Sequence, residues 1–464
     1  MEKRDIELAL KWVSLAFSFV LFFCFLYHSH LRLIYPYDIT SADGFVLGFS
    51  LDLLKGRPLY TDVKTSLRPN VYPPLYYLFS APLLRLTGPS FLPGKLISFL
   101  SSLGTGLLLY FMLKERIKDL FLALTLTFSF FSFYYTFFWS TLPRPDMLGL
   151  FFSILGIYLF QKGRRWLSSL SFALSLLTKQ NYVSAPVSIL LYFLLNKKYR
   201  ELFLQLISMS IVFLSLFLPC LLYFGPELLK NTIFYASSYQ RFFRQYILYG
   251  YIFATLPLLL LFSDAVFSSM DIFSLYGVTS FLFMLWLLFN PGSASNYFLE
   301  PTCAFILAAT NSPILKRRNS FIYVLLLIQL VLSPGGGVLD WPWNNIKYLN
   351  SFYENLKVDE RIMEMVDAFN GSTMSECSGF LLFAGMDPSP DIWKLYTLKE
   401  ELNLGPLIEK YCLSFDRVIS FWDVPLLPEC LKGFSLKAKI KRRNFPSVRY
   451  GESEYFFVEI YEKG

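Results

Sequence analysis

Long apolar runs fill the first 334 residues of the chain and limit its fold more than any other feature. A hydrocarbon core about 30 Å thick needs about 20 apolar residues per helix, and most of these runs approach that length. Only 16% of the residues are charged, well below the usual share in soluble domains, so we expect a polytopic α-helical membrane protein. About eleven transmembrane helices are predicted, at 12–30, 92–113, 120–140, 145–161, 166–182, 184–196, 201–224, 246–266, 271–290, 297–315 and 319–334.

The Lys and Arg residues predict the orientation of these helices. Basic clusters occupy every second loop, and only the turn at 263–271 lacks positive charge, which predicts a cytoplasmic N-terminus in an inner or plasma membrane. No small-residue cleavage site follows the first apolar run, so we interpret it as an uncleaved span. The loop at 31–91 and the C-terminal tail then lie outside the cell membrane. The basic clusters are Lys3/Arg4/Lys11, Lys114/Arg116/Lys118, Lys162/Arg164/Arg165, Lys197/Lys198/Arg200 and Lys316/Arg317/Arg318.

Residues 335–464 differ from the transmembrane domain at 1–334, because charges are frequent and apolar runs are short. FYENLKVDERIMEMVDAF has helical periodicity, and GFLLFAG, RVISFW and EYFFVEIYE are typical of strands. We therefore predict a small extracytoplasmic α/β domain, in which 437–443 (KAKIKRR) forms a solvated strand or contacts lipid head groups. Its cysteines, Cys377, Cys412 and Cys430, match no metal signature but allow one disulfide with one thiol left over.

Ionisable side chains collect in the predicted outer loops, where buried charges tend to be paired or functional. Lys and Arg suit a phosphate or pyrophosphate, and the aromatic residues beside them suit a sugar or a lipid chain. The basic residues form only short clusters between apolar spans, so we expect no nucleic-acid partner. The candidates are Asp38, Asp43, Asp52 and Asp62 in the first outer loop, then Arg144, Asp146, Lys179, Arg241, Arg244 and Glu300.

Structural roles compete with each of these assignments. Arg144 and Asp146 could neutralise each other at a helix end, while Lys179, Arg241 and Arg244 could extend toward lipid head groups. Asp52 is three residues before Lys55 in a helical stretch, which favours a surface pair. The residues alone leave both interpretations open.

Several segments resemble the GT-C superfamily of membrane glycosyltransferases, in the branch that contains protein O-mannosyltransferases and the lipid A aminoarabinose transferase. The similar segments are ADGFVLGFSLDLLKGRPLYTD, YPPLYYLFSAPLLRLTG, GKLISFLSS, RPDMLGLFFSILGIYLF, TKQNY, NYFLE and, in the tail, MSECSGFLLFAGMDPSPD. In this resemblance Asp43 matches the family's outer-loop acid, Gly56, Tyr60 and Asp62 match its Gly-Tyr-Asp element, and Pro73 and Pro74 match its Pro-Pro pair.

The resemblance implies sugar transfer from a polyprenyl-phosphate donor to a glycan, lipid or protein acceptor on the outer face, with inversion and Asp43 as general base. Transfer of a hexosyl or a pentosyl group would fit. The substrate-binding residues implied are Arg57, Asp62, Arg68, Tyr72, Arg144, Asp146, Lys179, Arg241, Arg244 and Glu300. Two positions depart from the family pattern: Gly44 replaces the Glu of an Asp-Glu pair, and Tyr72 replaces a Lys that contacts the donor phosphate. Arg57, Lys64 or Arg68 could substitute for that Lys.

Two other functions fit a chain of this kind less well. A lipid-linked oligosaccharide polymerase or ligase depends on Arg and His in a large late outer loop, and neither His of this chain is late. A lipid-sugar transporter usually has charges near the bilayer midplane and broken helices. No cofactor is firmly implied. Asp43, Asp62, Asp146 and Glu300 could hold Mg²⁺ or Mn²⁺ if they converge, but the resemblance predicts metal-independent transfer.

Overall fold

The computed structural model describes residues 3–237, 245–290, 293–317, 320–334, 342–421, 428–443 and 455–463. Its N-terminal part is a helical bundle. The helices are α1 (Lys3–Ile34), α2 (Ser41–Leu54), α3 (Val63–Ser66), α4 (Leu75–Thr87), α5 (Leu92–Arg116), α6 (Leu120–Ser132), α7 (Tyr134–Trp139), α8 (Asp146–Gln161), α9 (Arg165–Thr178), α10 (Ser184–Leu195), α11 (Tyr199–Phe224), α12 (Glu227–Leu229), α13 (Gln245–Ser268), α14 (Ile272–Leu287), α15 (Leu299–Ala308), α16 (Pro313–Lys316) and α17 (Ser320–Leu332). A π-helix covers Lys230–Phe234, and 3₁₀ turns cover Ser295–Phe298 and Ala309–Asn311.

The predicted spans all coincide with helices of the bundle. Within the described ranges, four helices are long and apolar enough to cross a membrane: α1 from Asp5 onward, α5, α11 and α13. Helices α6, α8, α10, α14 and α17 are apolar but shorter. The helical character of this part is therefore confirmed, while the number of crossings stays a prediction.

Helix α11 has an inverted distribution of polarity. Its two buried residues are Gln205 and Ser208, which form hydrogen bonds of 3.3 and 2.9 Å with the Ser169 hydroxyl of α9. Its apolar side chains point outward, and Leu222 keeps 85% of its surface uncovered. A helix that buries its polar side chains and exposes its apolar ones is stable in lipid, where the outside is apolar and polar groups need protein partners.

Aspartates cap the N-termini of two helices, α6 and α14, at the predicted cytoplasmic end of the bundle. The Asp119 carboxylate accepts from the backbone N–H of Phe121 at 3.0 Å and begins α6. Asp271 begins α14 in the same way and also pairs with Arg116 at 2.7 Å. These are N-cap arrangements, in which a carboxylate satisfies backbone donors that have no partner inside the helix.

The C-terminal part is a four-stranded sheet with helices packed on it. Its elements are α18 (Pro342–Asp367), β1 (Thr373–Ser375), α19 (Ser378–Phe383), α20 (Ile392–Leu398), α21 (Gly405–Cys412), β2 (Arg417–Ser420), β3 (Phe434–Arg443) and β4 (Tyr455–Lys463). The strand order is β1-β2-β4-β3, with β1 parallel to β2 and the other neighbours antiparallel. Ile419 pairs with Ile460 across β2 and β4, and both pack on Ile362 of α18.

Most of the predicted elements of this part are confirmed, one assignment is wrong, and one holds except at a single residue. The helix at α18 and the strands at β2 and β4 form as expected. The run at 379–385, predicted as a strand, is the helix α19, because a helical turn lets Phe380 pack in the sheet core while Leu382 packs on Phe91 of the bundle. The run at 437–443 is a strand, but its Arg442 is 2% exposed and points inward.

The disulfide left open by the cysteine count joins Cys412 at the end of α21 to Cys430, with Cα atoms 4.7 Å apart. Cys377 is the remaining thiol of the tail and is buried. The bond closes the helical layer onto the segment before β3.

Candidate functional site

Asp43 lies at the start of α2, in the first predicted outer loop. Thr40 is the N-cap residue, and Asp43 is the third residue of the helix, so their side chains and backbones form a capping box. One carboxylate oxygen of Asp43, Oδ2, accepts from the backbone N–H groups of Ile39 at 3.1 Å and Thr40 at 3.0 Å. The other, Oδ1, accepts from the Thr40 hydroxyl at 2.6 Å. The side chain is fully buried.

Arg144 joins Asp43 to the next outer turn. Its Nε donates to Oδ1 of Asp43 at 3.3 Å, and its Nη2 donates to the Thr40 hydroxyl. The guanidinium lies over the Trp139 ring, 5.1 Å from the centroid. Burial is the largest single influence on the pKa of Arg144 and lowers it, but Asp43, Tyr72 and Asp146 together outweigh burial and the net shift is upward. The guanidinium is therefore charged and held on an aromatic face.

A second buried pair joins Asp146 to Lys179. Asp146 is the first residue of α8 and Lys179 follows the last residue of α9, so both lie at the same end of the bundle as Asp43. Oδ1 of Asp146 accepts from the Lys179 ammonium and from Asn296 Nδ2, the latter at 2.6 Å. Within the described residues, Oδ2 of Asp146 has no hydrogen-bond partner. A buried carboxylate oxygen without a partner is costly and marks a position where a ligand could bind.

Aromatic rings surround the Lys179 ammonium. It lies 5.3 Å from the centroid of the Tyr297 ring and 6.0 Å from that of Tyr72. Tyr72 is fixed by its own backbone, which donates to Asn70 at 3.3 Å and accepts from Tyr60 at 2.8 Å. Burial is the main cause that raises the pKa of Tyr72. The phenol therefore stays neutral beside the charges of the site.

Lys179 and Tyr297 line a narrow cleft, together with Tyr182, Asn296 and Glu300 among others. Glu300 is buried, and its Oε1 accepts from the Ser153 hydroxyl at 2.9 Å and from the Tyr276 hydroxyl at 3.1 Å. The cleft thus has a cation and an acid within aromatic walls, a combination that fits a phosphate joined to a sugar or a lipid.

The remaining predicted site residues of the first outer loop lie away from the cleft. Asp62 caps α3 by accepting from the Lys64 N–H at 2.8 Å, and it is partly exposed. Arg57 pairs with Asp387 of the C-terminal domain at 2.7 Å. Their part in substrate binding, and that of Arg68, stays a prediction. Arg241 and Arg244 lie outside the described residues.

The partners of Asp52 differ from those expected from the sequence. It was expected to form a surface pair with Lys55, but it is 4% exposed and pairs with Arg68 at 2.9 Å and Arg57 at 3.6 Å. The reason is that loop 55–68 folds back along α2 and brings both arginines over the carboxylate. Asp52 thus engages both arginines, whereas Lys179 lies beside Tyr72, the position at which the resemblance implies a Lys.

The carboxylates proposed as metal ligands do not converge. Asp43 pairs with Arg144, Asp146 pairs with Lys179, and Asp62 caps a helix at the surface. Across the ranges that the structure describes, no group of three or more His, Cys, Asp or Glu residues is placed to hold a metal ion. The arrangement instead pairs Asp43 and Asp146 with one base each, while Glu300 is bound by two hydroxyl groups.

Sequence reasoning missed several residues of this site. Thr40 and Asn296 bind the two acids directly, and Trp139 and Tyr297 supply ring faces for the two cations. A signal for Thr40 was present, since Thr three residues before Asp is a capping pattern. Asn296 is four residues before Glu300, in the NYFLE segment that the resemblance had already singled out.

Comparisons with known proteins identify one family model and one relative that are similar to parts of this chain. The family model for dolichyl-phosphate-mannose-protein mannosyltransferase matches residues 71–223. An uncharacterized protein of Aquifex aeolicus (strain VF5) is 37% identical over 120 residues, which is 26% of this chain and 27% of that protein. The chain therefore matches only about a quarter of the length of that curated relative.

Two crystal structures of ArnT from Cupriavidus metallidurans resemble the whole chain. The apo form aligns with a TM-score of 0.59 over 98% of both chains, at 12% identity. The form bound to undecaprenyl phosphate aligns with a TM-score of 0.57 over 97% of both chains, also at 12% identity. The helical bundle and the C-terminal part together thus have the fold of ArnT.

Proposed function

We propose that this chain, which has the fold of the GT-C membrane glycosyltransferases, moves a sugar from a polyprenyl-phosphate donor to an acceptor hydroxyl. The family-model match to residues 71–223 and the whole-chain likeness to ArnT support the GT-C resemblance. One observation carries the proposal further. Two buried acid–base pairs, Asp43–Arg144 and Asp146–Lys179, lie at one end of the bundle, and Lys179 of the second pair lines an aromatic cleft.

Asp43 is proposed as the general base that takes the proton of the acceptor hydroxyl. Its carboxylate accepts four hydrogen bonds, from two backbone N–H groups, the Thr40 hydroxyl and Arg144. An ionised carboxylate has about four acceptor sites, so one of these partners has to leave before an acceptor hydroxyl binds. Arg144 is the partner that a donor phosphate would attract, because a guanidinium binds phosphate through two parallel hydrogen bonds. Donor binding would then uncover Oδ1 of Asp43.

Arg144 and Lys179 are proposed to stabilise the leaving phosphate. The acceptor oxygen bonds to the anomeric carbon, the bond from that carbon to the phosphate oxygen breaks, and the electron pair departs with the lipid phosphate. Positive groups held in a poorly hydrated site oppose the charge that grows on that phosphate. Lys179 lies beside Tyr72 and could therefore replace the Lys that the family places at position 72. Attack from the side opposite the phosphate inverts the anomeric configuration.

The site is proposed to face the outside of the cell membrane, with the N-terminus in the cytoplasm. The alternation of basic loops supports this orientation. The Cys412–Cys430 disulfide supports it independently, since such bonds persist in oxidising compartments. A polyprenyl-phosphate sugar in the outer leaflet could then enter the cleft from the lipid, and the acceptor could be a glycan, a lipid or a protein.

Transfer is proposed to need no divalent metal. Asp43 and Asp146 are each neutralised by a base, and we expect Arg144 and Lys179 to meet the charge of the phosphate. Glu300 is engaged by two hydroxyl groups. These contacts support a reaction driven by a carboxylate base and two fixed cations.

The test uses the purified chain in proteoliposomes with a panel of undecaprenyl-phosphate hexoses and pentoses and an envelope extract as the source of acceptors. We expect wild-type protein to incorporate one of these sugars and Asp43→Asn to lose about 10²- to 10⁴-fold in rate. Glu409→Gln is the matched control, because it makes the same type of exchange at an exposed pair with Lys432. Wild-type turnover by a folded Asp43→Asn protein would refute the base assignment, and no transfer from any donor would refute the function.

A further inference from the structure

We propose that the C-terminal domain holds Asp43 in its reactive position, with Gly379 and Arg442 as positioning residues. This inference rests on the proposed function and gives the domain a role in the reaction. Two separate contacts carry it, one between the backbones of α2 and α19 and one through a buried ion pair.

The first contact joins the start of α2 to the start of α19. Gly44 directly follows Asp43, and a Cβ atom at that position would overlap the backbone N of Gly379 and lie 2.8 Å from Oδ1 of Asp38. A Cβ at Gly379 would overlap Oδ2 of Asp38 and lie 2.6 Å from the Phe91 ring. The two glycines therefore let the backbones meet. The same contact explains why Gly44 replaces the Glu of the family's acid pair, since the domain fills the space that a side chain would need.

Asp38 is enclosed by this contact. It is 1% exposed, and neither carboxylate oxygen has a hydrogen-bond partner of ordinary geometry in the part of the chain that the structure describes. Burial is the largest cause that raises the pKa of Asp38 well above the usual range, and the Asp43 and Asp359 carboxylates add to it. The Gly44 amide and the Arg442 charge partly offset this rise. A neutral Asp38 fits the contact without an uncompensated charge.

The second contact is the pair between Arg442 of β3 and Asp359 of α18. Arg442 donates from Nε and Nη2 to the two carboxylate oxygens, at 2.7 and 2.6 Å. The Tyr35 hydroxyl donates to the same carboxylate, and Nη2 also reaches the backbone carbonyl of Asp38 at 3.4 Å. All three side chains are almost fully buried. The planar, bidentate pair of the domain thus contacts both ends of the segment 35–38, at the Tyr35 hydroxyl and at the Asp38 carbonyl.

This segment leads directly to the groups that orient Asp43. On its other side, the Lys95 ammonium of α5 donates to the Tyr35 carbonyl at 2.6 Å. The next two residues, Ile39 and Thr40, supply the backbone N–H groups that bind Oδ2 of Asp43. Segment 35–40 is therefore fixed between the domain and α5, and any shift of the domain moves the donors that aim the carboxylate. A misplacement of about 1 Å can cost about 10²-fold in rate.

A purely structural role for these contacts would reduce stability and the yield of folded protein, while the turnover of the folded fraction stayed the same. A positioning role reduces kcat of the folded fraction. The KM for the donor stays the same, because the cleft around Lys179 is formed by the bundle. Cys377 gives an independent readout of the contact, since its buried thiol directly precedes α19 and reacts with a maleimide only when the domain loosens.

The experiment compares Gly44→Ala and Gly379→Ala with Gly405→Ala. Gly405 is the matched control, because an added Cβ there would meet only Lys399 Cε at an ordinary 3.6 Å. We expect the first two variants to label faster at Cys377, to bind undecaprenyl phosphate like wild type, and to lose about 10- to 100-fold in kcat. Gly405→Ala should match wild type in all three measurements. Faster labelling with wild-type kcat, or unchanged labelling in both variants, would overturn the proposal.

Arg442→Lys and Arg442→Gln extend the test to variants without added bulk. Lys keeps the charge but loses the bidentate contact, so kcat should rank wild type, then Lys, then Gln. Equal kcat in the three folded proteins would contradict a positioning role even if the glycine variants fail to fold. If wild-type protein transfers no sugar from any donor, the proposed function fails. The labelling rate of Cys377 then still tests whether the domain is held against α2.

Discussion

Replacing Lys179 by Met tests the buried pair at the centre of the site. The side chains of Lys179 and Asp146 are 6% and 1% exposed. In the part of the chain that the structure describes, Asn296 is the other side chain that forms a hydrogen bond with the Asp146 carboxylate. Met keeps much of the length of the Lys stem but leaves the Asp146 carboxylate buried and uncompensated. Removing one partner of a buried ion pair typically costs about 3–5 kcal/mol, so we expect a loss of that size in the free energy of unfolding.

The matched control is Lys162→Met, at a pair with Glu115 whose side chains are 39% and 48% exposed. Water already screens that pair, so its loss should change stability little. The double variant Lys179→Met/Asp146→Asn removes both buried charges and should recover most of the lost stability. SDS titration from detergent micelles measures the unfolding of wild type, Lys179→Met, Asp146→Asn and the double variant, which are the four states of the cycle.

Activity separates the two roles of Lys179. If its ammonium stabilises the leaving phosphate, the double variant stays about 10²- to 10³-fold slower than wild type although it is stable. A double variant that is as active as wild type would show that Lys179 serves only to neutralise Asp146. A single variant that unfolds like Lys162→Met would refute the buried pair itself.

Three further predictions concern the domain and the chemistry. The stability of Asp38→Asn should depend less on pH than that of wild type. Burial raises the folded pKa of Asp38 above its unfolded value. The free energy of unfolding of wild type therefore falls by about 1.4 kcal/mol per pH unit between the unfolded and the folded pKa. Thermal midpoints of both proteins between pH 5 and pH 8 measure this, and a constant difference between the two curves would contradict it. Cys412→Ser should destabilise the C-terminal domain by about 3 kcal/mol, the usual effect for a closed loop near this length, because it opens an 18-residue separation; limited proteolysis measures the loss, and equal protection of both proteins would count against it. EDTA should leave sugar transfer unchanged, and activity lost in EDTA and restored by Mg²⁺ or Mn²⁺ would refute metal-independent transfer.

Apolar length and the positions of charged residues were sufficient to predict the helices at the eleven proposed spans, but α2 and α4 lie in the segment 31–91, which was predicted only as an outer loop. Each helix at a proposed span needs only its own composition to be recognised, as in α11, where apolar residues continue over the whole length. Asp43, Arg144, Asp146 and Lys179 were also predictable as candidates, because charges next to apolar spans are few. Their partners were not, since Asp43–Arg144 and Asp146–Lys179 join residues 101 and 33 positions apart.

Contacts between the two parts of the chain explain the errors. The run at 379–385 has the composition of a strand, but it forms α19 because its two apolar faces fit two different cores, one in the sheet and one at Phe91. Arg442 occupies an alternating strand that looks solvated, and its burial is set by Asp359, which is 83 residues earlier. Local sequence patterns contain no information on these partners.

The lipid product of the reaction tests the central claim most directly. Purified protein is incubated in proteoliposomes with the undecaprenyl-phosphate sugar that it uses, and the lipids are then identified by mass spectrometry. We predict that undecaprenyl monophosphate appears in equal amount to the transferred sugar, and that Asp43→Asn forms neither product. Recovery of intact donor on the opposite leaflet, without any covalent product, or preferential use of a pyrophosphate-linked glycan, would contradict the account.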